Sequence, residues 1–474
     1  MRTYILVILL LFSSFSLFAQ QTWTLEDCID YALDHNLQVK QQVLNTEVYE
    51  NNLLSSKITL LPSLNGGLNQ NLTFGRSVDP FTNDFNTENV SSSNMSVSSS
   101  ITLFNGLQQF NTIKKNQFDL QASLKDLETI KNNIVLSIAS AYLNVLYTRE
   151  SLEVANKQAD ITTLQLDRTN KLVEAGSLSL QSRLEVEAQL ANEELAVVNA
   201  ENQVALANLT LIQLLELKEF DGFDIVDPQI EQLIGETMLL PMMEVYNEAL
   251  ENMPEIAGAE LRMKSSEKSL AIARGARSPI LAVSASYGTG YSDARKNIDQ
   301  VLPAESILTG YTYDSYGNYL DVYQYNFDYS YLTRPFSDQI RDNASTSISF
   351  GLSIPIFNGW AVNSNVKFAK IQVQQQQIEF QQAQNQLLRD IQQAYTDAEA
   401  AVKMYDASRK ALEAISISFD YTQKKFDLGL VNSVDFNTAK NNLIKAESEL
   451  LRAKYDLIFK QKILDFYRGV EIRL

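Results

Sequence analysis

The sequence predicts a mixed, mainly α-helical protein in which very long helices alternate with pairs of β-strands. Two observations carry this prediction. First, 69 residues without glycine or proline separate Gly106 from Gly176, and the same number separates Gly359 from Gly429. Second, the landmarks of the first stretch recur 253 positions later. A helix of this length extends roughly 100 Å at 1.5 Å per residue, which is typical of coiled coils, repeats or tubes rather than of ordinary globular domains.

The composition limits which functions the chain can have. Its net charge of −18 argues against nucleic-acid binding, because such binding uses a basic face. One histidine, His35, and one cysteine, Cys28, are too few for a zinc site or a Cys/His nucleophile. No glycine-rich phosphate loop precedes a helix, and carboxylate pairs such as Glu193-Glu194 have the spacing of a solvated helix face. We therefore predict no enzyme, no cofactor and no metal site.

Residues 1–20 have the pattern of a secretory signal peptide. Arg2 supplies the positive start, residues 4–18 an apolar core and Ala19 a small residue for cleavage. No later run of about 18 apolar residues occurs, so we expect no transmembrane helix in the exported protein. If the protein enters a membrane, its strands must close into a barrel.

In the first half of the chain, residues 21–217, a helical pattern is followed by two strands. Apolar residues at helical spacing continue from Leu25 to about Ile58. The period then changes to two, which predicts strands over 64–74 and 95–103 with a polar loop between them. Strands of about 9–11 residues have the length that crosses a bilayer when they are tilted.

The first long helix carries a heptad-like seam of apolar residues that steps mostly by four and three, with Thr148 in its one gap. Its members are Ile134, Ile138, Ala141, Val145, Leu152, Ala155 and Ala159. A shorter helix is predicted over 180–217, after Gly176. Placed end to end, the two shorter helices of this half would match the long helix in length and lie beside it as an antiparallel companion.

The second half, residues 242–474, repeats this order after a linker over 218–241. Strands are predicted over 281–291 and 348–356, and the seam of the second long helix overlays that of the first at the same offset of 253. An insertion of 36 residues separates the two strands. We interpret the Tyr-rich segment within 292–343 as an exposed loop or as a membrane-facing aromatic girdle.

The number of predicted strands indicates an assembly of several chains. Four strands per chain are too few to close a barrel, because bacterial barrels begin at about eight strands. Two copies would supply eight strands and three copies twelve. An eight-stranded barrel is filled by its own side chains, so a conducting barrel favours three copies. The predicted architecture is a long antiparallel α-helical coiled-coil barrel continued by a transmembrane β-barrel.

These features together resemble the TolC family of outer-membrane efflux and secretion channels. The resemblance rests on the secretory start, the duplicated halves, the strand pairs that end in Phe-Asn-Gly and the long helices that end at glycine, and it covers about residues 24–466. It implies a homotrimeric passive exit duct in the Gram-negative outer membrane, in contact with its lipid and extending into the periplasm. It also implies a periplasmic membrane-fusion adaptor and an inner-membrane RND-type or ABC transporter as partners.

The resemblance assigns roles to particular residues. Loops over 75–94 and 292–343 would face outside. The strand-to-helix transitions would be Phe104, Asn105, Gly106, Phe357, Asn358 and Gly359. The periplasmic tips, where the adaptor would dock, would contain Gly176, Gly429 and Leu430.

An acidic ring at the periplasmic entrance is a further expectation from the family. The family has one Asp six residues beyond the second tip glycine, where this chain has Asp435, and another three residues later, where it has Thr438. Three copies of Asp435 around a narrow axis would repel one another, raise each other's pKa and attract cations. Alternatively, Asp435 is a solvated residue near the positive end of its helix. The family's polar latch between helices cannot be carried over to this sequence.

A secreted coiled-coil protein with a structural or adhesive role is the competing hypothesis. Its strands would only pack against the helical stalk. The membrane-crossing length of the predicted strands and their matching places in the two halves disfavour this hypothesis. The sequence does not determine whether the cargo is a drug, a metal ion, a peptide or a protein.

Overall fold

The computed structural model describes residues 22–78, 83, 85–87, 89–218, 222–228 and 239–473. The predicted signal peptide and much of the predicted linker lie outside the described residues. In the part of the chain that is described, no helix is both long enough and apolar enough to span a membrane.

In the first half, two consecutive helices lead to a strand pair and then to a very long helix. Asn36 interrupts the predicted first helix, because its side-chain oxygen accepts hydrogen bonds from the backbone N–H groups of Gln38 and Val39 and so starts a second helix. The elements are β1 (Thr22–Trp23), α1 (Leu25–His35), α2 (Leu37–Ile58), β2 (Ser63–Thr73), β3 (Ser77–Val78), β4 (Phe85–Asn86), β5 (Val90–Phe104), α3 (Gln108–Glu174) and α4 (Leu180–Leu215).

In the second half, the same kinds of element follow one another, with one additional hairpin. The predicted long helices are confirmed, since α3 and its later counterpart α8 each contain 67 residues. The elements are β6 (Asp224–Ile225), α5 (Met242–Asn252), α6 (Pro254–Gly275), β7 (Ile280–Ser292), β8 (Lys296–Tyr313), β9 (Tyr319–Thr333), α7 (Phe336–Asp342), β10 (Ser345–Ser353), α8 (Ala361–Asp427) and α9 (Ser433–Tyr467).

One antiparallel sheet contains the four predicted strands, in the order β10–β7–β5–β2. The central pair, β5 and β7, joins the two halves of the chain. Among the described residues, β2 and β10 each pair on one side only, so the sheet has two free edges. Six further strands, β1, β3, β4, β6, β8 and β9, are paired outside this sheet in the described part of the chain, so the prediction of four strands was incomplete.

The strand lengths and the connecting loops differ from the predictions. β5 has 15 residues and begins at Val90, inside the predicted loop over 75–94. The Tyr-rich segment is not a loop, because β8 and β9 form a long hairpin. Its register shifts at three places, and such bulges interrupt the two-residue period by which a strand is recognised. β10 ends at Ser353, where its partner β7 begins, so Pro355 lies outside the ladder.

The chain divides into two compact units. One unit, residues 52–116 and 267–371, contains the four-stranded sheet and the β8–β9 hairpin. The other contains α1, α4, α5, α9 and most of α3 and α8.

Two apolar cores form where a short helix packs against the seam of a long helix. Around α3, Ile138 and Val145 are buried with Cys28 of α1 and Leu211 of α4. Around α8, the buried seam residues Ile391, Ala394 and Ala398 meet Val245 and Ala249 of α5. The two seams are therefore confirmed in these parts of the long helices.

Beyond Thr148, the buried face of α3 departs from the predicted seam. Leu152, Ala155 and Ala159 are only half-buried. The buried residues there are polar: Gln158, Thr162, Gln165 and Thr169. The physical reason is that this part of α3 meets polar partners: the Thr162 hydroxyl contacts Glu193 of α4 and Lys440 of α9, so the buried face follows those side chains rather than an apolar seam.

Candidate functional site

The two faces of the four-stranded sheet differ in chemistry. Side chains alternate between the faces along each strand, and residues paired across strands share a face. One face is largely apolar and carries Leu64, Leu68, Leu72, Met95, Val97, Ile101, Leu281, Val283, Ala285, Tyr287, Ile348, Phe350 and Leu352. The other face is polar or glycine-rich and carries Asn65, Gly67, Asn69, Asn71, Ser96, Ser98, Ser100, Ser284, Ser286, Ser347, Ser349 and Gly351.

The described residues leave the apolar face largely uncovered at the outer strands of the sheet. Leu64 is 76% exposed and Phe350 is 75% exposed. Leaving such a side chain in water rather than burying it costs about 1.5–3 kcal/mol, and contiguous apolar patches of this kind mark contact with a membrane or a partner. On the opposite face, hydroxyl groups bond to one another, as between Ser286 and Ser347 at 2.8 Å. The sheet therefore suits an apolar medium on one side and water on the other.

The two predicted strand-to-helix transitions share a backbone conformation. Gly106 and Leu107 have φ of +68° and +61°, and Gly359 and Trp360 have φ of +60° and +67°. Two consecutive left-handed residues turn the chain sharply from the strand into the helix.

The surroundings of the two transitions differ. A Cβ atom on Gly106 would lie 2.3 Å from the carbonyl oxygen of Gly275, whereas one on Gly359 would meet nothing within 4 Å. Phe104 is the last residue of β5, and Phe357, in the turn after β10, is exposed with Trp360. The first transition is therefore tightly packed within the chain, and the second is open.

The predicted tip glycines end α3 and α8 through the same hydrogen-bond pattern. Gly176 and Gly429 have φ of +75° and +74°. Each glycine donates its N–H to the carbonyl three residues earlier, and the next residue donates to the carbonyl five residues earlier, at 2.8–3.0 Å. This is the Schellman motif, which glycine adopts without steric cost.

Three residues beyond each tip glycine, a polar side chain caps the next helix. Ser179 Oγ accepts from the backbone N–H of Ser182 at 3.2 Å, and Asn432 Oδ1 accepts from that of Asp435 at 2.8 Å. Each turn thus lies between a Schellman motif and an N-cap. The first pairs carbonyl groups at the end of one helix, and the second pairs an N–H group at the start of the next. Different side chains therefore build the same short turn at both tips.

Asp435 is exposed in the first turn of α9. Its carboxylate is at the positive end of the helix dipole, where an anion is stabilised. Thr438, which occupies the position of the family's second aspartate, donates its hydroxyl to the carbonyl oxygen of Val434 at 2.8 Å. One chain contributes a single Asp435, so the acidic ring stays a prediction.

Polar contacts near the tips connect α3 and α4 with α8 and α9. The Arg168 guanidinium forms an ion pair with the Asp427 carboxylate and also donates to the Asp427 carbonyl oxygen at 3.1 Å. Ser433 Oγ donates to Glu185 Oε2 at 3.3 Å. These contacts were not predicted, because nothing local in the sequence relates residues that are about 250 positions apart.

A buried polar cluster joins three helices between the tips and the apolar cores. Lys440 of α9 is 1% exposed, and its Nζ lies 3.1 Å from Glu193 Oε1 of α4. Nζ also donates to the Thr162 hydroxyl and, at 3.3 Å, to the carbonyl oxygen of Gln158, both on α3. The prediction that Glu193 lies on a solvated face is wrong, since Glu193 is buried against Lys440.

The cluster is held mainly by electrostatic contacts rather than by apolar packing. Burial lowers the pKa of the Lys440 ammonium, and the neighbouring Glu193 carboxylate acts in the opposite direction. Gln158 Nε2 and both side-chain amide atoms of Gln165 are buried without a hydrogen-bond partner in the described part of the chain. Unsatisfied buried polar atoms are costly, so this part of the helix interface is weaker than the apolar cores.

Comparison with known proteins places these features in a family. The sequence profile of the family described as "Outer membrane efflux protein" matches residues 28–216 and 245–469. The outer membrane protein TolC of Escherichia coli (strain K12) is 22% identical over 349 residues, which cover 72% of this chain and 62% of that protein. This match spans less than two thirds of the length of the E. coli relative. The outer membrane efflux protein BepC of Brucella suis is 18% identical over 435 residues, covering 92% of this chain and 83% of BepC.

Solved structures share the fold. The crystal structure of CusC aligns with a TM-score of 0.76 at 15% identity and covers 96% of both chains. The Campylobacter jejuni CmeC outer membrane channel aligns with a TM-score of 0.73 at 15% identity, over 94% of this chain and 86% of CmeC. These likenesses confirm the mainly helical architecture with a sheet. Because the family profile matches most of the sequence, the chain belongs to the outer membrane efflux protein family of TolC-like transport conduits.

Proposed function

We propose that this protein is a homotrimeric outer-membrane channel, a passive exit duct through the outer membrane and the periplasm for efflux or type I secretion. The observation that carries the proposal is the four-stranded sheet, with one exposed apolar face, one Ser/Asn/Gly face and two free edges. A free edge is a template for pairing with another strand. β2 of one copy would pair with β10 of the next, and three copies would close a twelve-stranded barrel.

The chemistry of the two sheet faces supports the orientation of this barrel. Transmembrane barrels have an apolar outer band and a polar interior. The face with Leu64 and Phe350 would contact lipid, and the face with Ser286 and Ser347 would line a water-filled lumen. The competing hypothesis, a secreted structural or adhesive protein, expects strands packed against the helical stalk. The exposure of the apolar face disfavours that arrangement.

The long helices would form the periplasmic part of the duct. Each of α3 and α8 contains 67 residues, which corresponds to roughly 100 Å. We infer two structural repeats, residues 21–217 and 242–474, joined by the linker over 218–241. The matching element order and the equal helix lengths support this division.

The capped tips would be the periplasmic entrance and the docking site of a membrane-fusion adaptor. Leu428 and Leu430 beside Gly429, and Leu178 beside Gly176, are exposed there and offer apolar contacts. Asp435 would form the acidic constriction in the trimer. With no nucleotide-binding motif in the chain, the energy for transport would come from an inner-membrane RND-type or ABC transporter.

Substitutions on the two faces of β10 test the channel directly. Phe350→Arg places a charge on the lipid-facing side, where it costs about 2–4 kcal/mol at mid-membrane depth. Ser349→Arg is the matched control, because the neighbouring residue lies on the opposite face. We expect the parent and Ser349→Arg to be heat-modifiable trimers in the outer-membrane fraction and to conduct in planar bilayers, while Phe350→Arg is depleted from the membrane. A parent protein that stays soluble without detergent would contradict the proposal.

A further inference from the structure

The hairpin of β8 and β9 has an aromatic face that the described part of the chain leaves exposed. Its register pairs Val301 with Tyr329, Pro303 with Phe327 and Leu308 with Tyr323, and paired residues share a face. The aromatic face, as we call it, carries Tyr311, Tyr313, Tyr319, Tyr323, Tyr325, Phe327, Tyr329 and Tyr331. These eight side chains are 46–81% exposed.

The opposite face of the hairpin is more polar. On β9 it carries Gln324, Asn326, Asp328 and Ser330 in succession. The segment from Lys296 to Thr333 contains five carboxylates and one lysine. On the aromatic face of β9 the only carboxylate is that of Asp321, which accepts a hydrogen bond from the Tyr323 hydroxyl at 3.4 Å. The acidic balance disfavours an anionic lipid surface as the partner of the aromatic face.

The base of the hairpin is fixed to the four-stranded sheet. Gln339 of α7 is fully buried, and its side chain bonds both the N–H and the carbonyl of Ser292 and the carbonyl of Arg334, at 2.9–3.0 Å. Asn343 Nδ2 donates to the carbonyl oxygen of Gly290 at 2.7 Å. From this anchor, a strand of 15 residues such as β9 extends roughly 50 Å at about 3.3 Å per residue.

An isolated hairpin of this length needs a partner. A two-stranded hairpin is at best marginally stable in water, and in the described chain β8 and β9 pair only with each other. An aromatic side chain offers about 150–250 Å². With roughly half of that area exposed, the eight rings present on the order of 800 Å². This equals the area that one partner buries in a standard protein interface, about 800 Å².

We propose that the aromatic faces of three hairpins, one from each copy of the chain, pack together around the three-fold axis. This inference rests on the trimer proposed above, which would bring three identical hairpins, one from each copy, to the same end of the assembly. Three identical faces directed towards one three-fold axis bury one another, and the set of contacts is complete with three copies. The hairpins of the other two copies are therefore a partner that is present in every assembled trimer.

The edges of the hairpin favour packing through faces over edge-to-edge pairing. β8 has three register shifts and contains Pro303, which has no N–H to donate. Bulges and proline are the features by which natural edge strands resist further pairing. The three hairpins therefore form a shared aromatic core rather than a continuous sheet.

Two neighbouring residues on opposite faces test the proposal by cross-linking. Phe327→Cys and Asn326→Cys are each made in the full-length protein and treated with a short bis-maleimide in the outer membrane. The parent serves as the blank, because Cys28 is buried and burial raises the pKa of its thiol to about 12. After heating in detergent, we expect Phe327→Cys to shift to the mass of a covalent dimer. We expect Asn326→Cys to stay at the mass of the monomer.

The outcomes separate this inference from the proposed channel. If Phe327→Cys forms a heat-modifiable trimer but is not cross-linked, or is linked no more than Asn326→Cys, the hairpin packing is wrong and the channel stands. If the unheated protein is not a trimer, the proposed function itself fails. An environment-sensitive dye on Phe327→Cys adds a second measurement in the unlinked protein. Its emission should be independent of lipopolysaccharide vesicles, and a blue shift on their addition would overturn the inference in favour of lipid contact.

Discussion

The buried face of α3 holds its neighbours by different forces in its two parts. Near Ile138 and Val145 the contacts are apolar and continuous with Leu211 and Cys28. Near Thr162 the contacts are an ion pair, hydroxyl bonds and unpaired amides around Lys440. Apolar packing is insensitive to pH and to the loss of a single charge, whereas a buried ion pair depends on both partners. The helix bundle around α3 therefore has a stable apolar part near Ile138 and Val145 and a polar part near Thr162, closer to the tips.

Removing the buried cation has the largest expected effect. Lys440→Met leaves the Glu193 carboxylate buried without its partner, which costs about 3–5 kcal/mol. The double variant with Glu193→Leu should recover most of this loss, because it removes both charges. The measurement is the temperature at which the helices are lost, followed by circular dichroism. Lys445→Met is the control, since Lys445 is exposed. An unfolding temperature of Lys440→Met equal to that of the parent would contradict a stabilising role of the buried ion pair.

Truncation in the apolar core has a comparable or somewhat smaller expected effect. Ile138→Ala removes fully buried methyl groups and leaves a cavity, at a cost of about 2–5 kcal/mol. Its cost should not change with pH, in contrast to that of Lys440→Met. Unfolding measured at two pH values on both variants tests this difference. A strong pH dependence of the Ile138→Ala effect would remove the distinction between the two parts of α3.

The titration of Lys440 predicts a smaller, pH-dependent contribution. Burial lowers the pKa of this lysine from its ordinary value of 10.5, so between the two values the unfolded chain binds more protons than the folded chain. Stability therefore rises as the pH increases from the lowered pKa towards 10.5. The parent should show this rise relative to Lys440→Met, with unfolding followed by circular dichroism. The same slope in both proteins would assign the dependence to other groups.

Loss of the tip ion pair has the smallest expected effect on stability. Arg168 and Asp427 are both partly exposed, and such pairs contribute about 0–1 kcal/mol. In the proposed channel, Arg168→Ala should instead raise the open probability in planar bilayers, because it removes a contact between α3 and α8. Lys171→Ala is the matched control, since Lys171 pairs with Asp167 inside α3. Identical gating of both variants would exclude a role of Arg168 at the entrance.

Much of the fold was predictable because its signals are local. The absence of glycine and proline between Gly106 and Gly176 predicts one helix, and the change of period after Ile58 predicts the start of a strand. The tip glycines mark helix ends because a Schellman motif needs a residue with positive φ. The β8–β9 hairpin escaped prediction, since its bulges break the alternation that identifies strands.

The candidate site was predictable only in part. The apolar alternation predicted the strands of the sheet, and Asp435 was placed near the start of its helix. The burial of Glu193 was predicted wrongly, because a carboxylate pair on a helix gives no local sign of a lysine 247 positions away. The acidic ring depends on contacts between copies of the chain, to which one chain contributes a single carboxylate.

By itself the sequence determined the two long helices, the glycines at which they end and the four strands of the central sheet. Those properties follow from the period of apolar residues and from the backbone freedom of single residues, which act over a few positions. Only the tertiary structure decided that Lys440 meets Glu193, that Arg168 meets Asp427, and that a Tyr-rich insertion is a hairpin with one aromatic face. These contacts depend on which helix and strand faces come together across the fold, and a small drift in helical phase or one bulge changes the residues involved.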